Sequence, residues 1–534
     1  MTMHPDQGPL AATAPLDTRP RKPAKSVNFV NLTVLTALLA VPLTVQARQA
    51  SQTQLPEAVP SHSAADEVGG AFAQFQKQTP VPGLVYAVVR DGKITLSSAQ
   101  GVQTIGGPPV AMDTRFRIAS MSKAFTALAI LKLRDDGKLS LDDLAEKHVP
   151  EMRGWKYPTS DAPRIRIRDL LQHVGGMVTD DPWGDRQQVL TEAEFSTMIA
   201  AGVPWSRVGQ SQHEYSNYGY ALLGRIVSNV SGKPYQAYIR DTILRPLGMT
   251  ASTYDVGEVP RDKLAVGYRW ENERWVEEPQ MRDGAFGAMG GLVTTANDYA
   301  KWVAFLLSAW PARNGAETGP VKRATVREMA QGLNFVRITP RPGGAEDDHC
   351  VHATAYGMGF RVTPDCNLGL TLAHGGGYPG YGSFVVLAPE TGTAAFGFAN
   401  RTYQGPSVPV WQSLWALARN DAIAPRETPL NPLLGTMQDA ARAAYRAGEL
   451  KPLEGRLAMN FLMDRSAENW AKEFARIREL VGDCATAEPL APTGNLSTGF
   501  RWNCAKGKLD GQILLAPTNP PTIQALRFAP QPGK

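Results

Sequence analysis

Between Met121 and Leu131 the chain reads MSKAFTALAIL, and its only polar residues are Ser122, Lys123 and Thr126. A helix on a protein surface carries one apolar stripe and one polar face. Here the face that holds Lys123 continues through Ala127, Ile130 and Leu131, which predicts a helix buried on most sides with a lysine inside it. Ser120 lies three residues earlier, and residues three apart are neighbours on a helix. A lysine in low dielectric is pushed toward its neutral form. A neutral amine can take the proton of an adjacent hydroxyl, which is what an activated serine nucleophile needs. The free N–H groups at the helix start also favour developing negative charge. The competing reading is a plain N-cap serine and a lysine that snorkels to solvent. Ser-x-x-Lys taken alone does not separate the two.

At 534 residues the chain is long for one domain and predicts a large and a small one. A formal net charge of +5 is too slight on this length to argue for nucleic acid as a partner. The N-terminus carries Arg19, Arg21, Lys22 and Lys25, then an apolar run from Leu32 to Val45, then Gln46-Ala47. That order reads as a secretory signal over residues 1–47, followed by a polar linker over 48–63. The run is short for a spanning helix and is broken by Thr33, Thr36 and Pro42. Membrane association is therefore expected only through this segment, if it stays uncleaved, and the expected location is periplasmic or secreted. Four cysteines, Cys350, Cys366, Cys484 and Cys504, fit export and allow three pairings. Loop entropy and domain layout favour Cys350 with Cys366 and Cys484 with Cys504, each closed loop contributing roughly 3 kcal/mol. The rival for the first pair is a metal site in DDHCVH, Asp347 to His352, but its spacing matches no zinc pattern, so no metal is expected.

A helix is expected over 64–78, then strands over 84–91 and 93–101 joined at Asp91-Gly92, a hairpin signal. The apolar helix from Ser120 should stop at Gly137. A helical, loop-rich middle runs to about Leu307. Short glycine-punctuated strands follow in GMGFRV, LGLTLAHGG, GSFVVLAP and TAAFGFAN. Strands from both ends of the region then flank the helices, which fits a sheet with edge strands from opposite chain ends. A proline-containing break over 424–435 separates a first domain, 64–423, from a small α+β unit, 436–534, with helices over 436–447 and 467–481 and a closing meander.

Two further motifs accompany Ser-x-x-Lys. Residues 214–224 read EYSNYGYALLG, with Tyr215 and Asn217 before an apolar helical run, and residues 372–383 read LAHGGGYPGYGS. Ser-x-x-Lys, Tyr-x-Asn and His-x-Gly, in that order, resemble the serine β-lactamase and penicillin-binding-protein family. The likeness is nearest to the class C branch with its esterase and D-aminopeptidase relatives, and it covers roughly Ala64 to Arg419, including TRFRIASMSKAFTALAILKL and AHGGGYPGYGSFVVLAPE. It implies an antiparallel sheet flanked by helices with a helical lobe, the β-lactamase/transpeptidase-like fold, followed by the small C-terminal unit. It also implies an acyl-enzyme serine hydrolase of esters or amides, with no cofactor and a small-molecule or peptide substrate. The resemblance makes Ser120 the nucleophile, Lys123 its base and Tyr215 a proton relay. Asn217 would orient the substrate and hold Lys123. The N–H groups of Ser120 and Gly377 would form the oxyanion hole, with Gly375 and Gly376 letting a substrate backbone approach.

Two positions depart from the family pattern. Class C β-lactamases have lysine where this chain has His374, so the fixed cation for a β-lactam carboxylate is expected to be missing. The usual His-Thr-Ser-Gly appears as His173-Val174-Gly175-Gly176, where His173 is expected to cap or pack. Trp183 and Trp205 fall on loops able to rim the site. Loops 178–189 and 334–354 are expected to set specificity. The alternatives are a true β-lactamase or D,D-carboxypeptidase, and a non-catalytic receptor for peptidoglycan fragments.

Overall fold

The computed structural model describes residues 62–341, 349–427 and 429–533. The expected signal segment lies outside them, as do Asp347 and Asp348 of DDHCVH. Helix α1 (His62–Gln78) leads into strands β1 (Gly83–Arg90) and β2 (Lys93–Gly101). In β1, Val85, Ala87 and Val89 enter one core while Leu84, Tyr86 and Val88 enter another. Successive side chains on a strand point to opposite faces, so a strand apolar at every position belongs in the middle of a sheet covered on both sides.

The first core holds α2 (Lys123–Asp135), α3 (Asn217–Ser231) and α4 (Ala296–Leu307). The second is made by α1 and a later helix whose Trp411 and Trp415 stack. Between α4 and that helix run β3 (Asn334–Pro340), β4 (Val351–Tyr356), β5 (Arg361–Asp365), β6 (Gly369–Tyr378), β7 (Tyr381–Ala388) and β8 (Thr393–Ala399). The helix itself is α5 (Ser407–Arg419).

The eight strands lie in the order β2-β1-β8-β7-β6-β5-β4-β3, and every pairing is antiparallel. The edges are thus β2 and β3, and the two ends of the region meet inside the sheet, where Val88 pairs with Ala395. This corrects the expectation of edge strands from opposite ends: β8 carries Ala394, Phe396 and Phe398 on one face and Ala395 and Ala399 on the other, too apolar for an edge.

The C-terminal unit has its own core, drawn from Leu434 to Leu526 and including Phe474, Trp502 and Leu509. Helices α6 (Pro432–Ala447) and α7 (Ala467–Val481) precede β9 (Cys484–Ala487), β10 (Ala491–Gly494), β11 (Ser497–Cys504), β12 (Gly507–Leu515) and β13 (Ile523–Pro532) in one antiparallel sheet. Helix α6 begins inside the expected linker because Asn431 caps it by accepting from Leu433 N, with Pro432 at the first turn. The structure contains the Cys350–Cys366 and Cys484–Cys504 disulfides, the second joining paired positions of β9 and β11. The Cys350 sulfur is thereby committed, and its neighbours His352 and Asp365 hydrogen-bond each other at 2.9 Å. Among the described residues no helix is long and apolar enough to cross a membrane.

Candidate active site

Ser120 sits on a 3-10 turn, Ala119–Ser122, and the α-helix proper starts at Lys123. The serine is therefore not an α-helix N-cap. The preceding Ala119 has φ 48°, a left-handed conformation rare for a residue with a side chain. Such strain persists only where the surroundings impose it. Here Ser122 Oγ donates to Ala119 O at 2.6 Å, Leu292 N donates to Ser122 Oγ at 3.1 Å, and Ser383 Oγ on β7 donates to Ile118 O at 2.8 Å.

Lys123 is fully buried and its Nζ makes three contacts: Ser120 Oγ at 3.0 Å, Asn217 Oδ1 at 2.7 Å and Met289 O at 2.8 Å. Burial lowers its pKa from 10.5 to about 8; Asp181, Asp185 and Asp180 oppose that fall and Arg361 adds to it. Charged, the amine donates to all three; neutral, it keeps its two N–H groups on the carbonyls and turns its lone pair to Ser120.

Asn217 is held at the start of α3 by a double cap. Ser216 Oγ accepts from Gly219 N at 3.1 Å, while Asp180 accepts from Asn217 N at 2.7 Å and Tyr218 N at 2.8 Å. The Asn217 amide donates to Asp181, which turns its carbonyl toward Lys123. The Tyr215 ring lies 4.9 Å from Lys123 Nζ, and its phenol is pushed well above the usual range by burial, an effect partly offset by a hydrogen bond with Ser120. Ser120 thus has Lys123 and Tyr215 as neighbours together. His173 accepts from Ser216 N through Nδ1 at 3.1 Å and packs at a tilt against Tyr215, with ring centroids 4.3 Å apart. Its contacts are those of a cap and a packing surface.

Strand β6 pairs with β5 only as far as Ala373, so from His374 to Tyr378 its β5-side edge has no strand partner among the described residues. The Gly375 carbonyl accepts from His374 Nδ1 at 2.6 Å. With Nδ1 carrying the proton, Nε2 accepts from Tyr356 OH at 3.1 Å. Burial, then Arg361 and Lys123, hold the His374 pKa well below normal, so this imidazole is neutral at pH 7.

The three glycines are needed for packing within the protein. A Cβ on Gly376 would lie 2.2 Å from both Ile118 O and Ser383 Oγ, one on Gly375 3.1 Å from Phe384, and one on Gly377 2.7 Å from the Tyr403 ring.

Sequence reading missed six residues. The Met289 carbonyl is main chain and carries no residue signal. Asp180, Asp181 and Asp185 lie in the loop 178–189 that was expected to set specificity, but none of the three was singled out. Tyr403 lies in the turn after β8. Arg361 is the most consequential: it opens β5, pairs in register with Ala373, and has no acidic partner among the described residues. Its charge reaches Lys123, His173, His213, His374, Tyr215 and Tyr356. A permanent cation does therefore stand beside His374, against expectation. The one available signal was an arginine at the head of a short strand preceding the third motif.

An antiparallel sheet packed against a helix that presents serine and buried lysine side by side defines the class, and this chain belongs to the Beta-lactamase family, whose model matches residues 68–420. It is 28% identical over 316 residues to Protein flp of Staphylococcus aureus, covering 58% of this chain and 58% of that protein. It is 31% identical over 259 residues to Beta-lactamase-like protein 2 of Dictyostelium discoideum, 46% of each. The chain therefore spans about half the length of these relatives. Its fold is similar to the octameric penicillin-binding protein homologue from Pyrococcus abyssi, with a TM-score of 0.55 and 20% identity over 84% of this chain and 96% of that one.

Proposed function

We propose that this protein is a serine hydrolase that cleaves an ester or amide through an acyl-enzyme on Ser120. The observation that carries the reading is the setting of Lys123: fully buried, 3.0 Å from Ser120 Oγ, with two carbonyls on its remaining N–H positions and a pKa of about 8. In this account neutral Lys123 takes the Ser120 proton as Oγ attacks the substrate carbonyl. The N–H groups of Ser120 and Gly377 receive the oxyanion; one such donor typically contributes about 3–4 kcal/mol. Tyr215 stays protonated at neutral pH and passes a proton to the departing oxygen or nitrogen while Lys123 replaces it. Water then attacks the acyl group, its proton returns along the same path, and Ser120 leaves with its hydrogen restored. Asn217 holds Lys123 through its carbonyl and offers its second amide hydrogen to the substrate.

Arg361 favours one substrate class within this reading. A guanidinium with no acidic partner among the described residues, next to His374 through the pairing of Arg361 with Ala373, suits a carboxylate on the leaving-group side, as in a β-lactam or a D,D-peptide. The two disulfides support an exported protein acting in an oxidising compartment. The test is the activity of purified protein toward p-nitrophenyl acetate, nitrocefin and a D-alanyl-D-alanine peptide. Turnover of at least one is expected, and turnover of none refutes the proposal.

A further inference from the structure

Tyr403 and Asp185, far apart in the chain, meet beside the site. Tyr403 follows β8, is fixed by its N–H to Tyr381 O at 3.1 Å, and has φ 58°, a conformation bulky residues seldom adopt. Its ring covers Gly377, where a Cβ would be 2.7 Å away. Its hydroxyl donates to Asp185 Oδ2 at 3.1 Å. Asp185 is almost wholly buried, in a loop pressed against Asn217: a Cβ on Gly184 would lie 2.8 Å from Asn217 Cβ. The pair therefore links the Gly377 end of the open strand edge to the Asn217 wall. At the other end of that edge, Arg361 opens β5 in register with Ala373, the neighbour of His374.

Resting on the hydrolase reading above, we propose that the Tyr403–Asp185 bridge is a specificity device that closes the acyl side of the cleft and restricts the enzyme to short acyl groups. A leaving group that answers Arg361 departs at the Tyr215 end. The acyl portion then extends toward Gly377 and Asn217, where the Tyr403 ring and its bond to Asp185 set the limit. The bridge contributes no proton to the reaction; it bounds the space. Burial, with Asp181 next, raises the Asp185 pKa to about 7, so around neutrality the carboxyl faces Tyr403 partly uncharged and partly as a carboxylate that accepts from its phenol.

The test is kcat/KM for p-nitrophenyl acetate, butyrate and octanoate in wild type, Tyr403→Ala, Tyr403→Phe and Asp185→Asn, with folding checked by thermal melting. In wild type the value should fall by at least about tenfold from acetate to octanoate, the discrimination a bounded pocket commonly gives. Tyr403→Ala should raise the octanoate-to-acetate ratio by about tenfold or more, because the ring is gone. Tyr403→Phe and Asp185→Asn keep the ring and loosen the link, so they should raise the ratio by less; they decide the matter if Tyr403→Ala fails to fold. A wild type that labels at Ser120 and cleaves acetate and octanoate equally well overturns this inference alone, as does an unchanged ratio in the folded variants. A wild type that neither labels nor cleaves any ester overturns the hydrolase reading and the inference with it.

Discussion

If Lys123 is the base, acylation must follow its deprotonation. With a pKa of about 8, about one molecule in ten carries the neutral amine at pH 7, against about one in three thousand for a lysine at its ordinary 10.5. Burial thus raises the competent population about three-hundredfold, the equivalent of about 3 kcal/mol. The acylation rate on a neutral ester should rise about tenfold per pH unit below the inflection and level off above about pH 8. Neighbouring charges set where the inflection lies. Asp181 is the largest influence raising the Lys123 pKa and Arg361 lowers it. Asp181→Asn should therefore move the inflection to lower pH, and Arg361→Gln to higher pH. Stopped-flow acylation with p-nitrophenyl acetate across the range reads all three. A flat profile, an inflection at an ordinary lysine value, or two variants shifting the same way would refute the reasoning.

The same lysine makes a stability prediction. Its folded pKa is depressed, so between about pH 8 and 10.5 the unfolded chain binds the proton more tightly and stability rises with pH; below about pH 8 the full penalty applies. Lys123→Met should abolish acylation yet melt no lower than wild type at pH 7, with any advantage fading toward pH 10; a markedly lower melting temperature would contradict this. Arg361→Gln should raise KM for carboxylate-bearing substrates about ten- to a hundredfold, the worth of one charge-assisted hydrogen bond, with a much smaller change for neutral esters; equal effects on both would remove its recognition role. Non-reducing peptide mapping should recover Cys350 linked to Cys366 and Cys484 linked to Cys504, and a peptide joining Cys366 to Cys484 would contradict both pairs.

The legible part of the site was the part written in local spacing. Ser120 and Lys123 are three apart, and Asn217 opens a helix whose apolar pattern is plain, so both could be placed before any fold was known. Short glycine-punctuated apolar runs likewise revealed β5 to β8, whereas β3 and the start of β4 occupy 334–354, which was expected to be a loop. What stayed hidden depends on pairings across the chain. Arg361 stands beside His374 only because β5 pairs Arg361 with Ala373 and then stops. Asp181 matters because its loop folds back onto Asn217. The left-handed Ala119 had no local signal, since alanine does not favour that conformation; contacts at Ile118, Ser122 and Ser383 impose it. The meeting of β1 with β8 inside the sheet was equally invisible to local pattern, because both strands were read as strands but not as neighbours.

The central claim is that Ser120 becomes acylated, and a mass measurement addresses it directly. Wild-type protein incubated with a fluorophosphonate should gain one adduct, and peptide mapping should place it on Ser120 in the segment FRIASMSK. Ser120→Ala should gain none while losing no more stability than one side-chain hydrogen bond supplies, about 0.5–1.5 kcal/mol. An adduct on another serine, or one that forms as readily in Ser120→Ala, would contradict the account.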